Sequence, residues 1–461
     1  MADQPKHKFE ENIENHLAKI VVDDEYQKAK AARQYEMATF ESILDKFECK
    51  HTEKNYEWMS DIEYPHMASI MITDASGWAN QYFQTRDFVE VKLEGSNPDD
   101  KKKCSSAKKC INQTLNNRNI FHYQKYIRGR TINALHGQVY ALCWWEQKYK
   151  EEITGYKSRI EEIPEIPGMN REVQEPIIDE NIMVDRFNYE IIDPRNVFSD
   201  NKYVYSPQEK DWITIRSEIS YDTLESKKDE RGYINLELAK KLYEGTYQET
   251  DTAKETYNER ESSKNTEKPV MKYLDHLLRF GKIWSVVKRE DEDGFPIETV
   301  PGYDEFGKVK EKAVLIESIM EFVYRGTNRV LIRFQPTPYR DTKGNPYKPI
   351  LRGLCYIHPT KDVGLSSGRY LSEIQTAISD HFNMGADRVK LATLPTLIGR
   401  EDAVIDNTTL YFEPQHIMQV PGDPDSILKE FKIQDNIDGT IQMIGMLDNS
   451  GQRLEGVYPT T

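Results

Sequence analysis

The stretch TYQETDTAKETYNERESSKNTEK, residues 246–268, is almost free of apolar side chains, and the chain changes character across it. Such a stretch supplies no stripe to bury, so it reads as a linker or as a helix solvated on most sides. Beyond it, from Val270 to about Phe334, apolar residues fall in strand-like runs: HLLRFGKIWSVVKRE, a turn at DEDGFP, then KAVLIESIMEFVYRG and NRVLIRF. The pattern predicts a small β-rich module inserted between helical parts. No series of alternating strands and helices is present, which excludes a parallel α/β sheet and predicts an α+β fold.

Ahead of the break, residues 8 to about 48 lack Gly and Pro and are rich in helix formers. Their apolar positions are sparse, which predicts a surface or inter-subunit helix with Asp23, Asp24 and Glu25 solvated. A second helix is expected through Met67, Ile70, Met71, Asp74 and Trp78, and a strand at FVEVKLEG. From Ser105 to about Tyr140 the pattern predicts a long helix interrupted at Gly129. It leads into the strand GQVYALCWWEQKYK, where Trp144 and Trp145 are expected as core anchors. The acidic, proline-bearing run EEIPEIPGMNREVQEPIIDE, residues 161–180, reads as a loop. Paired strands around a turn at Pro194 are expected in FNYEIIDPRNVFSD and DWITIRSEIS, with Ser220 capping a short helix that contains Leu224.

Charge and composition narrow the functional classes. Hydrophobic residues are 38% and charged ones 30%, polar for a self-contained globule of 461 residues and better suited to an extended or multi-subunit protein. The net charge of −15 disfavours general nucleic-acid binding, though not a wall that DNA slides past. No run of about 18 apolar residues and no apolar leader are present, so a soluble, unexported protein is expected. Five scattered cysteines give no disulfide framework and imply a reducing compartment. Cys104 and Cys110 lie in a lysine-rich stretch read as a basic loop, and they lack zinc spacing. With the histidines isolated and no phosphate loop, neither metal nor cofactor is expected. Glu225 and Lys227 match a fragment of nuclease spacing and equally a salt-bridged surface helix.

The run GLSSG at 364–368 matches the nucleophile-elbow pattern, with Ser366 as nucleophile and Asp402 or Asp406 and His416 in the right chain order. The competing reading makes it the entry to a helix ending at Pro395. Leu371, Ile374, Ile378, Phe382, Ala386 and Val389 step by three and four along one apolar face. Gln375, Ser379, Asn383 and Asp387 then form a polar face directed at a neighbouring chain or an aqueous channel.

In order, these pieces resemble the portal (head-to-tail connector) proteins of tailed bacteriophages, especially short-tailed ones. The carriers are INALHGQVYALCWWE, IIDPRNVFSD with WITIRSEISYDTLE, the helix bearing Gln375 and Asn383 eight residues apart, and the Gly-x-x-Pro within GQRLEGVYPTT. The resemblance implies an elongated subunit with a wing at 1–245 that includes Asp193, Pro194, Trp212 and Arg216. A first stem segment at 246–269 and a clip with its connection at 270–350 would follow. A second stem helix at 351–395 and a return to the wing at 396–461 complete it, with the crown absent or not included. It further implies a ring of about twelve copies at one capsid vertex of the virion, assembled in the host cytoplasm, and no catalytic residue. Double-stranded DNA would pass through, and the terminase large subunit, tail adaptors and major capsid protein would dock; no membrane is involved. Leu371, Ile374, Gln375, Ile378, Phe382, Asn383 and Asp387 would line the channel or a subunit contact. The alternatives are a serine hydrolase at GLSSG and another virion structural protein.

Overall fold

A computed structural model describes residues 8–50, 59–92, 98–162, 170–244, 273–292, 294–326, 328–341, 344–393, 397–399, 428–430 and 437–455. Every strand pairing among them is antiparallel, and helices alternate with no parallel sheet, so the fold is α+β as expected. The chain divides into two compact units, each assembled from three stretches: Met1–Ala38, Ala79–Asn133 and Gly137–Leu365 in one, Thr39–Trp78, Ala134–His136 and Ser366–Thr461 in the other.

The first unit is built on a six-stranded sheet. Strands β3 (Val197–Ser199), β4 (Trp212–Ile219), β5 (Leu274–Glu290), β7 (Val314–Arg325) and β8 (Asn328–Pro336) lie side by side, and β6 (Pro296–Pro301) pairs with the far half of β5. The strands after residue 270 are therefore not a separate module, since Leu274–Gly281 pairs with all of β4. The cause is legible in HLLRFG, which is apolar at successive positions and not alternate ones: such a strand is buried on both faces and takes a partner on each edge.

One face of this sheet is covered by α1 (Glu11–Ala18), a π-helical stretch Lys19–Gln27 and α2 (Lys28–Ala32). Leu17, Val21, Val22, Tyr26 and Ala29 enter one core with Phe198, Leu277, Met320, Phe322 and Leu331. The helix expected at a surface is thus a core helix. Its steps of four and five between apolar residues suit the wider π turn, where a few positions suffice to face a flat sheet. The acidic run is not simply solvated: Glu25 takes Arg279 of β5 in a two-point ion pair (2.5 and 2.7 Å), and Asp23 pairs with Arg329. Asp24 alone of the three follows expectation, with Lys28 on the exposed helix surface. The opposite face carries two clusters, one with Ile213, Ile215, Phe280 and Ile319, the other with Leu224, Leu242, Leu274 and Val323.

Strands β1 (Gln138–Glu162) and β2 (Asn170–Ile192) form a long hairpin paired from Tyr140↔Ile192 to Glu162↔Asn170. The third strand, β9 (Ile350–Leu354), reaches only Gln138–Leu142. Residues 170–180, expected in a loop, are therefore strand. Pro176 is tolerated because a two-stranded ribbon is all edge, and a missing N–H can face outward. Trp145 is 54% exposed and not the core anchor expected.

Helix α3 spans Gln34–Phe47 and α4 His66–Tyr82; Met67, Ile70 and Met71 of α4 are buried, whereas Trp78 is exposed. The long helix expected from Ser105 is two, α5 (Pro98–Leu115) and α6 (His122–His136). The break falls at Phe121, held at φ 54°, and not at Gly129. Gly129 is a packing position, where an added Cβ would meet Ile191 Cδ1 at 3.3 Å. Cys104 and Cys110 consequently lie on a helix, not a loop. FVEVKLEG is no strand over residues 88–92. Instead Asn112 of α5 pairs with the backbone of Val89 in both directions, at 2.9 and 3.0 Å, as a strand neighbour would. Short helices follow β4: α7 (Tyr221–Ser226), capped by Ser220 as expected, α8 (Lys228–Arg231) and α9 (Leu236–Glu244).

In the second unit, Ile43, Met67, Ile70, Met71, Ala134, Leu135 and Leu371 form the core. Leu371 belongs to α10 (Ser367–Thr393), and α11 (Ile437–Glu455) packs beside it. None of the helices among the described residues is long and apolar enough to cross a membrane.

Candidate functional site

Ser366 opens α10 as its N-cap. Its Oγ accepts from the Arg369 amide at 3.1 Å and donates toward the carbonyls of Ala134 and Leu135. The side chain is buried, and its proton is committed to carbonyl oxygens, which cannot act as a general base. The GLSSG match is therefore a helix start. Asp402, Asp406 and His416 lie outside the described residues.

The polar side of α10 bonds to the backbone of the same chain. It is spent on the chain's own segment 60–67, residue by residue. Gln375 Oε1 accepts from Met67 N (3.0 Å), Ser379 Oγ from Tyr64 N (3.1 Å), Asn383 Oδ1 from Ile62 N (2.9 Å) and Asp387 Oδ1 from Ser60 N (2.7 Å). The spacing is physical for three of the rungs: four helical residues rise about 6 Å and two extended residues span about 6.6 Å, so Ser379, Asn383 and Asp387 keep step with residues 64, 62 and 60, while Gln375 meets Met67 in the first turn of α4. Gln375 is fully buried and also donates Nε2 to Lys46 O (2.7 Å), joining the C-terminal turn of α3 to the first turn of α4. Both helix ends thereby gain a partner for a group that helix geometry leaves open. Asn383 returns a bond to Ile62 O at 3.2 Å. Burial pushes the Asp387 carboxyl up, but the Ser60 bonds and Lys390 outweigh that and hold it below the usual aspartate range.

The buried stripe of α10 runs through Leu371, Gln375, Ile378 and Ser379, with Ile374 at its margin. Phe382 and Val389, expected on the apolar face, are 40% and 44% exposed. The helix therefore turns its Gln–Ser–Asn–Asp face inward, because backbone donors of an extended segment need side-chain acceptors more than they need apolar cover.

The four wing residues are not brought into one site. Asp193 caps the turn at Pro194–Asn196 and holds Arg195 (2.7 Å), while Pro194 O accepts from Arg33. Trp212 packs at the margin of the main core, and Arg216 pairs with Asp275 across β4–β5 at 3.1 Å. All have structural partners. Glu225 lies on α7 as the surface-helix reading expects, and Lys227 just follows that helix. The five cysteines are free thiols, and no group of metal-ligating side chains gathers among the described residues.

What sequence spacing could not show is a polar row crossing four strands between the two clusters of the sheet's second face. Ser217 Oγ of β4 is 2.9 Å from His276 Nδ1 of β5, and His276 Nε2 is 2.9 Å from Glu321 Oε2 of β7. Arg333 of β8 donates to Glu321 Oε1 at 2.8 Å and Tyr233 to Oε2 at 3.0 Å, with Arg231 at 3.8 Å. Glu321 is wholly buried. Burial favours its neutral form, but the His276 hydrogen bond and charge, with Arg333 and Arg231, outweigh burial and bring its pKa down to about 2. The sequence trace is a carboxylate flanked by Ile319–Met320 and Phe322–Val323 in the buried part of β7.

No protein-family model matches the chain, and no curated protein matches it.

Proposed function

We propose that this chain is the subunit of a phage portal: a closed ring of about twelve copies that passes double-stranded DNA at one capsid vertex and docks terminase and tail adaptors. The observation that supports this reading best is the use made of Gln375 and Asn383. The two residues that carry the resemblance in the post-clip helix are the ones that tie α10 to segment 62–67, so their spacing of eight has a fold-defining purpose. A net charge of −15 per subunit also suits a passage that repels a phosphate backbone and avoids trapping it. On this reading α10 serves as a braced stem, and its polar residues hold the subunit together.

The test is negative-stain electron microscopy of the purified chain, averaged down the particle axis. Rings of about twelve subunits with an open centre as wide as duplex DNA are expected. Monodisperse monomers across a range of salt and protein concentrations would refute the proposal.

A further inference from the structure

We propose that Ser217, with His276 as its base and Glu321 as the residue that positions that base, forms a nucleophilic site that accepts acyl groups from small esters. The inference does not rest on the ring, and it moves serine chemistry away from Ser366 to a site assembled by three adjacent strands.

The argument runs through proton positions. Glu321 receives hydrogen bonds from Arg333 and Tyr233 and lies near Arg231, surroundings that keep it ionised. An ionised carboxylate only accepts, so the Nε2 of His276, 2.9 Å away, carries the ring proton and donates it. In the neutral ring Nδ1 is then the bare nitrogen, and it faces Ser217 Oγ at 2.9 Å. That is the relation of nucleophile, base and orienting carboxylate that defines such a triad by geometry, whatever the chain order. Burial is graded the right way: Glu321 is 0% and His276 4% exposed, while Ser217 is exposed at the outer end of the row. Strand β3 covers β4 only as far as Ile215, so the sheet leaves Ser217 open to an incoming group.

In the reaction Ser217 Oγ bonds to the ester carbonyl carbon as its proton passes to His276 Nδ1. The tetrahedral adduct then expels the alcohol, which takes that proton. Water repeats the sequence on the acyl-serine, releasing the carboxylic acid and restoring the hydroxyl. The positive charge on His276 in each step lies against the Glu321 carboxylate.

The test is fluorophosphonate labelling of the folded full chain, with sites read by peptide mass spectrometry. Ser226 and Ser450 are internal controls, because both are exposed and donate to backbone carbonyls, at 3.0 and 2.8 Å, and not to a base. Ser217 is expected to label roughly 100-fold faster than either, in the range that general-base assistance supplies. Ser217→Ala should abolish both the label and p-nitrophenyl acetate turnover while keeping the wild-type melting temperature. Labelling of Ser217 no faster than of Ser226 and Ser450 in the wild-type chain would overturn the proposal, whatever the variants do.

Discussion

At Glu321 one carboxylate takes hydrogen bonds from His276, Tyr233 and Arg333 inside the sheet. Glu321→Gln keeps the volume and removes the charge, leaving Arg333 without its buried counter-ion. It is expected to cost about 3–5 kcal/mol in urea unfolding at neutral pH. The pH dependence has a definite sign. A carboxyl held near a pKa of about 2 in the folded chain, against 4.5 ordinarily, stabilises the fold above the ordinary value and loses that contribution as pH falls toward 2. The gap between wild type and variant should therefore close over that window. A gap that is constant from pH 7 to pH 3 would contradict the assignment. A second residue-scale constraint is Gly364, where an added Cβ would lie 1.8 Å from Gly137 O. Two backbones in contact have no side chain to move aside. Gly364→Ala should cost at least about 3 kcal/mol, measured as a drop in denaturation midpoint. In the sequence this glycine looked like half of an elbow motif, because a pattern of Gly and Ser does not say which backbone passes beside it.

At the scale of elements, α10 separates what periodicity reveals from what it misassigns. The helix and its buried residues Leu371 and Ile378 followed from steps of three and four, whereas the expected start at 351 falls in strand β9. The direction the helix faces did not follow from them. Gln375→Ala orphans Met67 N and leaves Lys46 O with Cys49 N alone, and is expected to lower stability by about 1–3 kcal/mol. Phe382→Asp, on the strength of the sequence, would break the helix's apolar face. With Phe382 40% exposed, that substitution should change subunit stability by less than about 1 kcal/mol. Paired thermal melts of the two variants check this, and the reverse ranking would mean that the polar ladder is not the structural face. The N-terminal helix teaches the same lesson. Its apolar residues were too sparse for a helix packed in a regular bundle, yet a π-widened helix lying flat on a sheet needs no more.

For the whole molecule, the two units are each stitched from separated stretches, so no cut of the chain into consecutive domains reproduces them. The expected boundary near residue 270 failed for that reason: β4 and β5 lie on opposite sides of the polar stretch and pair over eight residues. If the proposed ring forms, it multiplies a charge of −15 by about twelve. Assembly should then be favoured by salt that screens repulsion between subunits, and ring occupancy in micrographs should rise between about 50 and 500 mM salt. Rings that dissociate on raising salt would show that ion pairs between subunits, and not the shared acidic field, control assembly.

The sequence by itself determined the α+β class, the helices at 66–82 and 367–393 and the cap at Ser220, whereas the strands on either side of Pro194, expected as a pair, join different sheets, β2 with β1 and β3 with β4. The class, the helices and the cap depend on neighbours a few residues apart, where periodicity and turn chemistry act. Only the tertiary structure decided that the N-terminal helix is core, that the Gln–Ser–Asn–Asp face of α10 turns inward, and that Ser217, His276 and Glu321 meet. Those outcomes depend on which distant backbone groups and charges need partners, and pairings 59, 45 and 308 residues apart leave no local pattern to read.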